Sequence, residues 1–199
     1  MTERTSRLLV IIAAFLAGIA AVFTVVLFVV RPDTAAMAPS AAAIGGPFRL
    51  VDQNGTAVTD GDLKGEPYLV FFGFTHCPDV CPTTLMEMSD VLDKLGPDAK
   101  RVAALFITVD PERDTPQELK DYLSSFNPQV RGLTGDPAAI AQVAKSYRVY
   151  MKKVPLENGD YTMDHTALVY LMDKNGKFVA PFNLKRSPED AASDLRRYL

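Results

Sequence analysis

Two cysteines, Cys77 and Cys81, lie four positions apart in the segment 73–82, GFTHCPDVCP, and a proline follows each of them. The 199-residue chain contains no other cysteine. One pair is too few for a disulfide-stapled scaffold, so the pair is a redox couple, a metal-binding pair or two buried thiols. In the first two cases the reacting species is the thiolate, which is both a nucleophile and a soft metal ligand.

The cysteines follow a continuous apolar run over 68–74, which predicts a buried central strand, and they precede a helical pattern that ends at Gly96. Pro82 is expected at the first helical position. At a helix N-terminus, unpaired backbone N–H groups and the helix dipole stabilise negative charge. We therefore expect both thiols to have pKa values below the usual value of about 8.5.

The spacing of the pair favours a metal site over a disulfide catalyst. Dithiol oxidoreductases of the thioredoxin type use Cys-x-x-Cys, whereas the additional residue here widens the loop and can offer both sulfurs to one ion. Redox-active thioredoxin-like proteins usually place a cis-proline beside the dithiol, but no proline lies between Tyr161 and Ala167. A thiol-disulfide oxidoreductase that works through a mixed disulfide is the alternative.

Two thiolates make an incomplete metal site, and the chain has only two histidines to complete it, His76 and His165. His165 is the preferred ligand because it stands at the start of a predicted strand over 165–172, where the core can return it to the cysteines. His76 directly precedes Cys77, so its side chain is expected to point elsewhere and to modulate the thiols. Asp164 is expected either to orient the imidazole through its second ring nitrogen or to be a surface acid.

Thiolates combined with imidazole suit copper, especially Cu(I), and also zinc. A structural zinc site needs four closed ligands, and the chain offers three soft ones plus His76. Copper is therefore the preferred metal. A peroxidase that uses one cysteine of low pKa is a third hypothesis, but the motif contains no supporting base or arginine.

The pattern of predicted elements indicates an α/β fold in which strands and helices alternate around a parallel core. Asn54-Gly55, Asn158-Gly159 and the segment 173–176 are typical hairpin turns. The predicted elements are a hairpin over 48–58, strands over 68–74 and 102–109, helices over 82–95, 115–125 and 136–147, strands over 165–172 and 177–181, and a helix over 187–198.

Four charged residues crowd the loop after the strand over 102–109: Asp110, Glu112, Arg113 and Asp114. We expect a solvated loop that caps the next helix. A catalytic pair of acids is the alternative interpretation.

The N-terminal region predicts a membrane anchor. Residues 8–30 carry no charge, and 23 helical residues extend roughly 34 Å, enough to cross a bilayer. The apolar core of a cleaved signal peptide is only about 7–15 residues long, so we expect the span to be retained. Residues 1–7 then form a cytoplasmic leader, 31–46 a flexible linker and 47–199 the folded domain.

Charge supports the orientation of this anchor and excludes one class of partner. Arg4 and Arg7 precede the span and Arg31 follows it, which favours a cytoplasmic N-terminus. These features suit a single-pass protein of a bacterial inner membrane with its domain in the oxidising periplasm. Basic residues are interspersed with acidic ones and the net charge is −3, so no stripe exists that could bind nucleic acid.

The chain resembles the Sco/SenC family, copper-binding accessory factors of cytochrome c oxidase assembly. The resemblance covers about residues 47–199 and the anchor, with Thr166 where many members have serine. Its motifs are GFTHCPDVCP over 73–82, TVDPERDTP over 108–116, GLTG over 132–135 and Asp164-His165.

The resemblance implies a thioredoxin-like fold with an extra β-hairpin and a Cu(I) or Cu(II) site at Cys77, Cys81 and His165. It also implies that the domain either delivers copper to the binuclear copper centre of oxidase subunit II or reduces the cysteines of that centre through a Cys77–Cys81 redox disulfide. An upstream protein that loads the copper is a further expected partner. In the first role the protein is not an enzyme with turnover.

Overall fold

A computed structural model describes residues 15–20, 24 and 44–199. Residues 15–20 are helical, and no helix in these ranges is long and apolar enough to cross a membrane. The predicted leader over 1–7, most of the predicted span over 8–30 and most of the linker over 31–46 lie outside the described residues. From residue 44 onward the described chain belongs to one compact unit.

The compact unit contains nine β-strands among the described residues: β1 Arg49–Asp52, β2 Ala57–Thr59, β3 Tyr68–Gly73, β4 Ala103–Thr108, β5 Val130–Thr134, β6 Met151–Pro155, β7 Tyr161–His165, β8 Val169–Met172 and β9 Phe178–Pro181. Seven of them form one sheet with the strand order β2-β1-β5-β4-β3-β8-β9. Every residue of β3 is buried, as expected of an apolar run with neighbours on both sides and on both faces.

The helices are α1 Val80–Leu95, α2 Pro116–Leu123, α3 Pro137–Ser146 and α4 Pro188–Arg196, with 3-10 helices over Asp60–Leu63 and Gly96–Arg101. Three of the α-helices begin alike, with a capping side chain followed by proline. Thr115, Asp136 and Ser187 each accept a hydrogen bond from the backbone N–H three residues on. These caps satisfy otherwise unpaired N–H groups, which explains why the starts of these helices agree with the prediction.

The predicted parallel pairing is confirmed only for the three central strands of the sheet. β3, β4 and β5 are parallel, whereas β8 pairs with β3, and β1 with β5, in the antiparallel direction. β5 was not predicted at all. The mixed sheet arises because the two hairpins, β1–β2 and β8–β9, add their strands at opposite edges of the parallel centre.

The prediction of one continuous strand over 165–172 was wrong. β7 ends at His165 and pairs only with β6, in a two-stranded hairpin apart from the main sheet, while β8 begins at Val169. Thr166 closes the base of the hairpin, because its N–H donates to the Tyr150 carbonyl and its hydroxyl accepts from the Tyr150 N–H. His165 therefore stands at the end of a hairpin strand, not at the start of a sheet strand.

Candidate metal centre

The two cysteines lie where the central strand β3 passes into α1. Cys77 lies in the loop between these elements, and Cys81 is the second residue of α1, which begins at Val80. Pro82 is therefore the third helical residue and not the first, as predicted. The backbone N–H of Cys81 donates to the Cys77 sulfur over 3.5 Å, so the helix N-terminus holds the Cys77 side chain beside Cys81. Both are free thiols; Cys81 is buried and Cys77 is partly exposed.

The hairpin strand β7 brings His165 to the cysteines. Its Nε2 atom lies 3.6 Å from the Cys81 sulfur, and its Nδ1 atom lies 3.1 Å from the Thr166 carbonyl oxygen. Because a carbonyl oxygen only accepts, this contact assigns the proton to Nδ1 and leaves the Nε2 lone pair facing the sulfur. The rings of Phe71 and Phe74 contact the imidazole edge to face and fix its plane.

Among the described residues, Cys77, Cys81 and His165 form a group whose ligand atoms all lie within 4.8 Å of one another. Metal–sulfur and metal–nitrogen bonds of about 2.3 and 2.0 Å, as in zinc sites, place sulfur and nitrogen about 3.7 Å apart in a trigonal arrangement. The Cys81–His165 separation of 3.6 Å fits this value. Two thiolates and one imidazole form a donor set that suits Cu(I).

Burial controls the protonation of this centre. Burial raises the pKa of the Cys81 thiol, and a hydrogen bond with the Phe74 backbone opposes this rise. Burial also lowers the pKa of His165, opposed by the Thr166 carbonyl and the charge of Asp164. The prediction of a lowered thiol pKa was wrong for Cys81, because desolvation outweighs the helix N-terminus. A bound metal ion compensates this cost by its own charge.

The other two residues that were considered beside the cluster lie outside it. His76 is exposed, and its Nδ1 atom lies 3.0 Å from the Thr75 hydroxyl. Asp164 is exposed as well, because successive side chains in a strand point to opposite faces and His165 faces the core. The Thr166 carbonyl, not Asp164, bonds the second ring nitrogen of His165.

Asp114 supports the segment that carries Cys77. The prediction of a solvated loop was wrong for Asp110 and Asp114, which are buried, although Glu112 of the same loop is exposed. The Asp114 side chain is fully buried and accepts hydrogen bonds from the Thr75 N–H at 3.1 Å and from the hydroxyls of Thr75 and Thr108, each at 2.6 Å. Burial raises the pKa of this carboxyl, and these donors oppose the rise. Thr75 is two residues from Cys77, so Asp114 fixes the backbone that leads to the first ligand.

Tyr122 of α2 is a neighbour of the site that sequence reasoning missed. Its ring packs against Phe106, with the centroids 5.9 Å apart. Its hydroxyl oxygen is buried and has no hydrogen-bond partner among the described residues. Burial raises the pKa of Tyr122, and the charges of Cys81 and Cys77 raise it further.

We expect Tyr122→Phe to raise the free energy of unfolding of the metal-free protein by about 1 kcal/mol. The substitution removes a buried hydroxyl without a partner, whose desolvation is unfavourable, and keeps the contacts of the ring. Urea unfolding followed by circular dichroism measures the change. A lower free energy of unfolding in the variant would contradict this expectation and show that the hydroxyl has a partner in solution.

Known proteins are similar to this chain in sequence and in structure. The family model described as SCO1/SenC matches residues 36–199. The chain belongs to the SCO1/SenC family. One relative, Protein sco1 of Schizosaccharomyces pombe, is 43% identical over 161 residues, a match that covers 78% of this chain. The chain spans 60% of the length of that relative.

Solved structures of SCO1/SenC proteins confirm the thioredoxin-like α/β fold. The structure of Bradyrhizobium japonicum ScoI with copper bound is similar with a TM-score of 0.78 and 69% sequence identity, covering 79% of this chain and 100% of that chain. A second structure is of BsSco, a member of the Sco family of cytochrome c oxidase assembly proteins in which a disulfide switch was identified. Its TM-score is 0.62 at 31% identity, covering 77% of this chain and 92% of that chain.

Proposed function

We propose that the chain is a copper metallochaperone that binds copper at Cys77, Cys81 and His165 and delivers it to the binuclear copper centre of cytochrome c oxidase subunit II. The observation that carries the proposal is the convergence of the three ligand atoms within 4.8 Å of one another. The copper bound in the similar ScoI structure and the oxidase-assembly role of the Sco family support the choice of metal and pathway. Copper is the cargo, so the protein is not an enzyme with turnover.

The burial of the three ligands suggests how the cargo is released. Cys81 is buried beneath the site, whereas Cys77 and His165 are partly exposed. Incoming ligands of an acceptor protein therefore reach the ion from the side of Cys77 and His165. These two ligands exchange first, and Cys81 holds the ion until the acceptor has bound it. A protein that loads the site would use the same exposed side in the reverse order.

A second candidate function is reduction of the disulfide between the cysteines of the subunit II centre. Cys77 and Cys81 are both free thiols, and their sulfurs lie close enough for one to resolve a bond formed by the other. The partly exposed Cys77 thiolate attacks one sulfur of the partner disulfide, and the other partner sulfur leaves as a thiolate. Cys81 then attacks the Cys77 sulfur, which releases the second partner thiolate and leaves a Cys77–Cys81 disulfide. Two electrons pass to the partner.

The proposed location is a bacterial inner membrane, with the single span over 8–30 as the anchor and the domain in the periplasm. The uncharged run of that segment and the flanking arginines Arg4, Arg7 and Arg31 support this orientation. A domain tethered on the periplasmic side of the lipid bilayer could reach an oxidase subunit of the same membrane.

Transfer to purified subunit II tests the two candidate functions against each other. The full chain, loaded anaerobically with Cu(I), is mixed with the reduced, copper-free copper domain of subunit II, and copper is measured in each protein after separation. In parallel, the reduced, metal-free chain is mixed with the oxidised domain, and free thiols are counted. Movement of copper supports the metallochaperone, and thiol exchange without copper transfer supports the reductase. If neither copper transfer nor thiol exchange is observed, both proposals are contradicted.

A further inference from the structure

The hairpin that carries His165 has no strand partner in the main sheet. Within the described residues, β6 and β7 pair only with each other. The position of His165 over the cysteines therefore depends on the side chains that join this hairpin to the rest of the domain. Most of the polar contacts that do so come from one loop, residues 110–114, between β4 and α2.

Arg113 makes the most contacts between this loop and the hairpin. Its Nε atom donates to Asp110 at 2.5 Å within the loop. Its Nη1 atom donates to the Asp160 carboxylate at 3.3 Å and to the Tyr161 carbonyl at 3.0 Å, both at the start of β7. The guanidinium also lies 3.8 Å from the centroid of the Tyr161 ring. One side chain thus binds the backbone, a carboxylate and an aromatic face of the hairpin.

Tyr161 forms a second link, in which the hairpin residue is the donor and the loop residue is the acceptor. Its hydroxyl donates to Asp110 at 2.9 Å, so Asp110 accepts from both Arg113 and Tyr161. Lys153 of β6 lies 3.8 Å from the centroid of the same ring and pairs with Glu112 of the loop at 2.7 Å. Both strands of the hairpin are therefore attached to the loop.

Burial indicates which of these links matters most. The Arg113 side chain, which binds the Tyr161 carbonyl and ring, is only 17% exposed, and Asp110, which accepts from the Tyr161 hydroxyl, is 3% exposed. The side chains of the other links, Asp160, Lys153 and Glu112, are 56%, 45% and 61% exposed. Exposed ion pairs contribute little because water screens them, but a buried pair leaves an uncompensated charge when one partner is removed. Arg113 is therefore the residue whose loss most weakens the attachment.

The same loop also contacts the cysteine half of the site. Tyr161 and His165 lie on one face of β7, because alternate residues of a strand share a face. At the other end of the loop, Asp114 accepts hydrogen bonds from Thr75, two residues before Cys77. The loop thus bonds both the strand that carries the imidazole and the segment that carries the first thiol.

We propose that Arg113 is a positioning residue that clamps the β6–β7 hairpin to the 110–114 loop and thereby holds His165 at coordinating distance from Cys77 and Cys81. Arg113 does not touch the metal. It lowers the cost of binding because the third ligand is already in place when copper enters. This inference rests on the proposed copper function for its purpose, but the clamp itself is a property of the metal-free protein.

Hydrogen exchange of the metal-free full chain tests the clamp without copper. Arg113→Met should speed exchange at the amides of β6 and β7 by about tenfold or more and leave the amides of β3 unchanged. Arg131→Met is the matched control, because it also removes an arginine that pairs with a buried aspartate. The Arg131 Nη2 atom lies 2.9 Å from the Asp52 carboxylate, and this pair lies in the main sheet, away from the hairpin. Unchanged exchange in the hairpin, or the same acceleration in both variants, would overturn the proposal.

A double-mutant cycle on Cu(I) affinity tests the link to His165. Arg113→Met should weaken binding by about tenfold, as loss of an orienting partner of a metal ligand does. In a His165→Ala background, Arg113→Met should cause no further loss of Cu(I) affinity, because Arg113 acts on binding only by positioning the His165 imidazole. Equal losses in both backgrounds would overturn the proposal.

Tyr161→Leu provides a second variant if Arg113→Met does not fold, because it removes the ring beneath both cations and leaves Arg113 paired with Asp110. It should also speed hairpin exchange, and unchanged exchange would count against the clamp. If the wild-type chain binds no copper, the proposed function fails, and the exchange experiment alone decides whether the clamp exists.

Discussion

Removal of the His165 imidazole is expected to lower the Cu(I) affinity of the chain by about 100-fold or more. Loss of a hydrogen-bond partner of a metal ligand typically costs about 10–100-fold, so loss of the ligand itself should cost at least the upper value. A 100-fold loss corresponds to about 2.7 kcal/mol. Cys77→Ser and Cys81→Ser should each cause a comparable or larger loss, because a serine hydroxyl is a hard and weakly acidic ligand. Anaerobic titration against a calibrated Cu(I) chelator measures all three.

His76→Ala is the matched control for this prediction. His76 adjoins Cys77 in the sequence, but it is exposed and bonds the Thr75 hydroxyl. Its substitution should therefore leave Cu(I) affinity within a factor of about two or three, a change below 1 kcal/mol. Full affinity in His165→Ala, or an equal loss in His76→Ala, would contradict the three-ligand site and favour a role limited to dithiol chemistry.

The surroundings of the thiols also bear on the choice between copper binding and dithiol exchange. Burial raises the pKa of Cys81, so near neutral pH the metal-free thiol keeps its proton and is a slow nucleophile. A soft cation at the site removes this disadvantage, because it displaces the proton and neutralises the buried charge. Cys81 is therefore better suited to hold a metal than to attack a disulfide, whereas the partly exposed Cys77 is accessible for either reaction.

The cysteine half of the site could be predicted because its signals are local. The apolar run of β3 requires burial on both faces, and the prolines of the motif together with the apolar spacing to Leu95 predict a helix directly after it. The error was the starting residue of α1. The helix begins at Val80. The buried Asp114 carboxylate that bonds Thr75 in the preceding loop also escaped prediction, because it comes from a distant segment.

In the other half of the site, His165 could be predicted as a ligand, but the way the fold positions it could not. Scarcity of histidines pointed to His165, but the separate hairpin that carries it is fixed by Arg113 and Asp110, whose burial no local pattern reveals. Four charged residues in one loop are typical of a solvated surface, and here two of them, Asp110 and Asp114, are 3% and 0% exposed. Their partners lie up to 51 residues away, so a sequence window cannot show that the charges are paired.

Gly73→Ala is expected to damage both the sheet and the copper site. A Cβ atom at this position would lie 2.6 Å from a ring carbon of Phe106 and 2.8 Å from the Cys81 sulfur, both closer than van der Waals contact allows. Both neighbours are fully buried, so neither can move into open space. Overpacking of this kind lowers the free energy of unfolding by about 1–3 kcal/mol. The displaced sulfur should also weaken Cu(I) binding by about tenfold, because the ligand geometry is no longer preformed.

Gly132→Ala separates the effect on the site from the effect on the sheet. Gly132 lies in β5, and an added Cβ atom would lie 2.6 Å from the Leu123 side chain, with neither cysteine among its nearest neighbours. This variant should also be less stable in urea unfolding, although the flexible leucine methyl lets part of the overlap relax. Its Cu(I) affinity should equal that of the wild type. If both glycine variants lost the same affinity, general weakening of the sheet would explain the loss; if Gly73→Ala kept full affinity, the Cys81 sulfur would not need its present position to bind copper.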